Sequence, residues 1–249
     1  MFSSLKMDET NWELMLPKEL TKENIILNMQ PVYFYEANGT LLFHNEVFTR
    51  IKGINNETYL TSDILPIYKR LNQDAILDKL VLESVLDYMA DHPDAMQRFA
   101  VNLSEDILRS DKHLNWIKNV IQEYAIFAHR LCLEFNTTIA FQNIKNINKL
   151  YNTLQKFNVQ FGIDGFGKGI SSFAQLNELP LGYIKLDGGL SRLIQDNLNN
   201  QLIIRSFIEM AHGLDMLALA TAVETKEELQ VLDRLYIDGV QGFFVGQPN

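Results

Sequence analysis

The stretch "FGIDGFGKG", residues 161 to 169, runs a short apolar segment into a carboxylate, Asp164, and at once into glycine, Gly165. An apolar run that stops on an acid and a glycine reads as a strand giving way to a turn. Taken alone, it leaves open whether Asp164 serves a metal, a binding pocket or neither.

Comparable runs recur on both sides: "RFAVNLS" (98–104), "RLCLEF" (130–135), "VQFGID" (159–164), "LGYIKLD" (181–187), "LALATAVE" (217–224) and "GVQGFFVG" (239–246). Each is short and bounded by polar or turn residues, as strands are. Longer segments with helical spacing lie between them, such as "ILDKLVLESVLDYMADH" (76–92), where Leu77, Leu80, Val81, Val85, Leu86 and Met89 follow i, i+3, i+4. Strands alternating with helices predict parallel pairing through right-handed crossovers, and roughly seven or eight such units suit an α/β fold of the closed (β/α)8 type. An open doubly wound sheet is the alternative. Its GxGxxG signature is absent, since "GFGKGISS" (165–172) has neither that spacing nor that of a P-loop. We expect one domain over residues 1–249, with a lead-in of about 20 residues.

Composition excludes several function classes. With 47% hydrophobic residues, 21% charged residues and a net charge of -9, the chain offers no basic stripe, so DNA, RNA and anionic membrane surfaces are not expected partners. A small anion held by a few local groups remains compatible. No apolar run approaches the roughly 20 residues of a membrane span, and "MFSSLKMDETNW" lacks the regions of a signal peptide. The single cysteine, Cys132, forms no internal disulfide and reads as core in a reducing compartment.

In a barrel, ligand chemistry gathers at the C-terminal ends of the strands. Polar residues fall there repeatedly: Asn102 and Ser104, Glu134, Asp164, Lys185 and Asp187, Thr221 and Glu224, and Gln241, with Glu46 and Arg50 in "HNEVFTR" (44–50). Converging carboxylate and amide oxygens suit a hard cation such as Mg²⁺, and Arg50 and Lys185 suit a phosphate. The same residue types cap helices and form turns, so spacing alone leaves both readings open.

In order, "MQPVYF", "NEVFTR", "VNLS", "LEFNTT", "FGIDGFGKGISSF", "YIKLDGG", "ATAVET" and "GVQGFFVGQP" resemble the successive motifs of the EAL domain, a barrel that binds and often hydrolyses cyclic di-GMP. The resemblance runs from about residue 20 to the end. It implies a first-metal quartet at Glu46, Asn102, Glu134 and Asp164, open to Mg or Mn, beside Lys185 and Gln241. It also implies ligand contacts from Gln30, Arg50, Asp78, Asp187 and Glu224, and Phe48 offers an apolar face to a base. Departures cluster on the catalytic side. The EAL triplet reads Glu46, Val47, Phe48; the second Asp of "DDFG" is Gly165; the second Glu of the "ExTE" strand is Thr137; the first Glu of "AEGVE" is Thr221. Two-metal hydrolysis needs both ions, so the expectation is a receptor for cyclic di-GMP with little or no activity and no required cofactor.

Plain structural roles stand beside these. Phe48 fills the barrel mouth, Asp78 caps the helix "KLVLESVLDYM", and Glu224 caps the helix "KEELQVLDRL". Among degenerate members the chain is most similar to the output domain of LapD-type receptors, through "LLFHNEVFTRI" and "AHGLDMLALATAVET". That likeness implies a cytoplasmic domain excised from an inner-membrane bacterial protein, upstream GGDEF and membrane domains, a homodimer formed through the EAL domain, and signalling by ligand-dependent rearrangement.

Overall fold

The computed structural model describes residues 16–17, 19–36, 39–70, 74–168 and 173–249. Two long strands, β1 (Ile25–Glu36) and β2 (Gly39–Lys52), form an antiparallel hairpin that sets Gln30 opposite Glu46, Asn28 opposite Phe48 and Ile26 opposite Arg50. A short strand, β3 (Thr58–Leu60), hems the outer edge of β2. Then β4 (Phe99–Leu103), β5 (Leu131–Asn136), β6 (Gln160–Phe166), β7 (Tyr183–Leu186), β8 (Leu217–Ala220) and β9 (Gly239–Val240) follow in spatial order, each parallel to the last. β4 pairs parallel to β2, and β9 pairs antiparallel to β1, so eight strands close into a barrel with β3 outside it.

The α/β barrel expected from the alternation is therefore present, with one correction. β1 runs against both its neighbours. Only two residues separate it from β2 in sequence, and a connection that short permits only antiparallel pairing.

Helices α1 (Thr61–Arg70), α2 (Asp74–Asp91), α3 (Glu105–Arg109), α4 (Asp111–Glu123), α5 (Thr137–Gln142), α6 (Ile144–Leu154), α7 (Phe173–Leu176), α8 (Gly188–Ser191), α9 (Leu198–His212) and α10 (Lys226–Arg234) connect the parallel strands. In α2 the predicted stripe is buried at Leu77, Val81, Val85, Leu86 and Met89. Leu82 joins it, while Leu80 is only half-buried. Among the described residues no helix is long and apolar enough to cross a membrane.

A second, smaller core fills the barrel with Val32, Phe43, Ala100, Cys132, Tyr183 and Leu219. Gly162 makes room for it: a Cβ there would stand 2.3 Å from the Tyr183 ring. The missing side chain on β6 lets Tyr183 of β7 lie across the barrel and present its hydroxyl upward.

The last two strands end earlier than their apolar runs, at Ala220 and Val240. Ala222 takes a left-handed conformation, φ 57°, which turns the chain out of β8. The freed segment pairs instead with the loop after β9, through Val223 N to Gln241 O (3.0 Å) and Phe244 N to Val223 O (3.1 Å).

Candidate ligand site at the barrel mouth

Strand register delivers the polar side chains to one end of the barrel. Asn102 lies opposite Glu134 in the β4–β5 ladder. Glu134 lies opposite Gly162 in β5–β6, with Asp164 two residues further on. At the centre is Lys185, 1% exposed. Its ammonium donates to Glu46 Oε2 and, at 3.1 Å, to Glu134 Oε2. Around Glu46, Gln241 Nε2 donates to Oε2 at 2.7 Å and Asn102 Nδ2 to Oε1 at 2.7 Å. Gln241 Nε2 also reaches Gln30 Oε1 (3.1 Å), and Gln30 Nε2 donates to Gly246 O (2.9 Å). Tyr183 holds Glu134 from below, its hydroxyl 2.8 Å from Oε1.

The electrostatics follow from three carboxylates around one ammonium. Burial pushes Glu46 up, but Lys185, Gln241 and Asn102 outweigh it and hold the group below the usual carboxylate range. Burial lifts Glu134 to about 7; Lys185 opposes this, and the charges of Glu46 and Asp164 add to it. Asp164 is raised too, by burial against the pull of Lys185. Burial acts to lower Lys185, yet Glu134, Glu46 and Asp164 together raise it. Beneath them, buried His44 stands 3.5 Å from Glu134, and desolvation followed by Lys185 keeps its pKa far below the usual histidine range.

Two cavities open here. One, of about 350 Å³, is lined by Gln30, Glu46, Phe48, Asp164, Lys185 and Glu224, among others. The second, of about 420 Å³, takes in Asp78, Asn102, Ser104, Thr49, Lys69 and Asn136. Strand β2 divides them: Glu46 and Phe48 face the first, Val47 and Thr49 the second. Asn102 of the second cavity bonds Glu46 of the first, so the two meet at the central cluster.

Gln30, Glu46, Phe48, Asp164, Lys185, Glu224 and Gln241 are thus brought into one cavity, and Asp78 and Asn102 into its neighbour. Arg50 is exposed further along β2 and lines neither. Asp187 also lines neither; its carboxylate accepts from Gly189 N at 3.0 Å and starts α8.

Two expected caps are corrected. Asp78 does not start its own helix, because α2 begins at Asp74. It accepts instead from Ser104 N (2.9 Å), at the start of α3. Nor does Glu224 cap α10: Thr225 does, accepting from Glu228 N (3.2 Å), while Glu224 pairs with Arg192 across the mouth. Phe48 is 39% exposed, so it stands at the rim of the mouth and does not fill it.

Sequence reasoning missed Tyr183, Phe243 and Arg192. Tyr183 was findable, since it precedes Lys185 by two positions and must share its inward face. Phe243 lines the first cavity at 60% exposure and is flagged only by its place after Gly242.

The residues at the three positions that lost a carboxylate each have a local role. Gly165 sits at φ 71°, the left-handed region that favours glycine. Thr137 Oγ1 donates to Asp164 O at 2.8 Å, pinning the end of β6. Thr221 Oγ1 donates to Leu186 O at 2.7 Å, so its hydroxyl is engaged with β7. None of these positions supplies a carboxylate beside Asp164.

The oxygen donors Glu46, Asn102, Glu134 and Asp164 fit a hard divalent cation chemically. As they stand, Lys185 holds two of them. Among the described residues no three acidic, imidazole or thiol groups converge closely enough to hold an ion.

Comparison with known proteins follows the same lines. Cyclic di-GMP phosphodiesterase PdeF of Escherichia coli (strain K12) is 28% identical over 236 residues, covering 94% of this chain but 31% of its own length. The chain therefore spans about a third of that relative. The Vibrio cholerae LapD S helix-GGDEF-EAL structure bound to c-di-GMP superposes with a TM-score of 0.81 at 23% identity, over 90% of this chain and 53% of that one. The Klebsiella pneumoniae BlrP1 manganese/cy-diGMP complex does so with 0.78 at 19%, over 94% and 58%. At such identities these likenesses establish the barrel. The EAL domain profile matches residues 13–248, and the chain belongs to the EAL domain family.

Proposed function

We propose that this domain is a receptor for cyclic di-GMP with little or no hydrolytic activity. The observation that carries the ligand is the paired cavity. Two hollows on either side of β2 meet over Glu46 and Asn102, and this pairing supports a cyclic dinucleotide with one base assigned to each. Phe48 and Phe243 offer apolar faces in the first, and Asp78 is an acceptor for the donor edge of a guanine in the second. Arg50, two residues past Phe48 on β2 and exposed, is the cation we assign to a phosphate. Relatives and neighbours named for this nucleotide support the reading.

The receptor half rests on Gly165 and Thr221. Two-metal hydrolysis requires a second ion to stabilise the leaving oxygen, and these positions offer it nothing. Losing one positioned acid-base group costs about 10²- to 10⁴-fold. Mg²⁺ or Mn²⁺ bound at Glu46, Asn102, Glu134 and Asp164 would act as a Lewis acid toward a phosphate oxygen. A single such site leaves the departing oxygen without its counter-charge. We also propose that the domain pairs with a second copy, for which Leu198 and Leu202 on α9 provide exposed apolar surface. In the LapD-like arrangement, upstream GGDEF and membrane domains would read ligand-dependent rearrangement of this pair.

The second reading is an active phosphodiesterase. It is favoured by the intact quartet and by relatives so named, including the probable cyclic di-GMP phosphodiesterase PdeA, also of Escherichia coli (strain K12), at 30% identity over 92% of this chain. Calorimetry with cyclic di-GMP, followed by overnight incubation with Mg²⁺ or Mn²⁺ and chromatography for the linear dinucleotide, separates the two. Saturable binding without product supports the receptor. Turnover that disappears in Glu46→Ala establishes the enzyme, and no binding at tens of micromolar to folded protein overturns both.

A further inference from the structure

We propose that Glu228 is a positioning residue for the ligand site, a buried carboxylate that clasps two loops into one cavity wall and presents Glu224 from it. The proposal rests on the cyclic di-GMP reading of that cavity. A capping box needs its third helical residue to accept only the N-cap amide. Glu228 does more. Its Oε2 accepts from Thr225 N (3.1 Å) and Glu224 N (2.7 Å), and its Oε1 accepts from Leu193 N (2.9 Å), which belongs to the loop after β7.

Both clasped loops line the first cavity, through Gly188 on one and Thr221, Ala222 and Glu224 on the other. They touch closely: a Cβ on Gly188 would stand 2.7 Å from the Ala222 Cβ. Leu193 is held at φ 50°, a conformation unfavourable to a branched side chain, and its side chain is 64% exposed while its amide turns in to Glu228. Packing of its side chain does not explain that conformation, whereas a charge-assisted bond to its amide does. Glu228 itself is 3% exposed. Outside it, Arg192 of the first loop pairs with Glu224 of the second, so the visible ion pair at the rim lies over a buried anchor.

The clasp separates two functions of one carboxylate. Thr225→Ala removes the N-cap hydroxyl and weakens α10 without touching the three accepted amides. Glu228→Gln keeps the volume but turns one oxygen into an amide that faces N–H groups. Calorimetry with cyclic di-GMP on the wild type, T225A, E228Q, E224A and the double variant E224A/E228Q tests the difference. We expect T225A to bind within about twofold of wild type and E228Q about tenfold more weakly. In the E224A background, the loss from E228Q should shrink to about twofold, because the residue it presents is gone. Equal losses in T225A and E228Q, or an undiminished loss in the E224A background, would overturn the proposal.

Hydrogen exchange on the free protein distinguishes this from the ligand reading. The Leu193 amide should be protected in wild type and T225A and lose protection in E228Q. A wild type that binds no cyclic di-GMP but shows that pattern would discard the ligand and keep the clasp. An unprotected Leu193 amide in the wild type would discard the clasp whatever the ligand does.

Discussion

Glu134→Gln tests the electrostatic core of the site. Glu134 is fully buried, touches Lys185 and Tyr183, and has its pKa lifted from the ordinary 4.5 to about 7, chiefly by desolvation. A group whose pKa is higher in the folded protein than in the unfolded chain binds its proton more tightly when folded. Its contribution to stability is therefore complete below pH 4.5 and is lost as pH rises toward 7. At about 1.4 kcal/mol per pH unit, that span corresponds to about 3 kcal/mol. The loss has a structural cause: above neutrality Glu46, Glu134 and Asp164 are all ionised around one ammonium, and Lys185 cannot satisfy three charges as well as two.

Glutamine keeps the shape and does not titrate. The difference between the two proteins reports Glu134 together with its coupling to Lys185, Glu46 and Asp164, because titrating groups away from this cluster are common to both and cancel. Urea unfolding in a chelating buffer at pH 5, 6, 7 and 8 should show wild type losing about 3 kcal/mol relative to E134Q across the series, mostly between pH 5 and 7. Two curves that stay within about 0.5 kcal/mol of each other would refute the argument, as would a wild type that gains on E134Q with rising pH.

Other outcomes follow from single contacts. Ala222→Gly relieves a left-handed φ of 57° and should raise stability by about 1 kcal/mol, read as a shift of about 2–4 °C in Tm; an unchanged or lower Tm would show that the turn carries no strain. Cys132 is fully buried with its thiol pushed up to about 12, so a disulfide reagent should label it only after denaturation, and rapid labelling of native protein would contradict the packing of the inner core. Arg50→Ala should leave stability within about 0.5 kcal/mol because the side chain is exposed, while weakening cyclic di-GMP strongly in calorimetry. Unchanged affinity would remove Arg50 from the site.

The barrel was legible because its signal is periodic. Each parallel strand is an apolar run, and each long helix carries a stripe one face wide. The position of Lys185, Glu134 and Asp164 followed from the same periodicity, since the end of a strand is visible where the apolar run stops. The antiparallel first strand was not legible that way, because "MQPVYF" and "LLFHNEV" look alike whichever direction they pair. Direction is set by the length of their connection. The ends of β8 and β9 were misjudged for another reason. "TAVE" and "QGFF" have strand composition, but Ala222 in a left-handed conformation and the close approach of Gly242 to Val223 lace them into loops instead. Caps were the least legible, because residues such as Asp78 and Glu224 suit a helix cap and a ligand contact equally in sequence. Only the partner each carboxylate meets decides: Ser104 N for Asp78 and the Arg192 guanidinium for Glu224.

That last ambiguity bears on function. A carboxylate at the barrel mouth is chemically available in proportion to what already holds it. Glu46 accepts from Lys185, Gln241 and Asn102, and Glu134 from Lys185 and Tyr183. A divalent cation entering the quartet must displace an ammonium that both carboxylates favour, in a site where every displaced bond leaves a buried polar group to be satisfied. Asp164 differs, since no second acid stands at 165 or 221 to share a metal with it. On β2, β5 and β7 the ammonium of Lys185 offsets part of the charge of Glu46 and Glu134, while next to β6 and β8 the acids at 165 and 221 are missing and Asp164 and Glu224 remain. An anionic nucleotide would meet less repulsion at such a mouth than at one that kept every one of those acids unpaired, which is what the proposed binding of cyclic di-GMP without a required metal calls for.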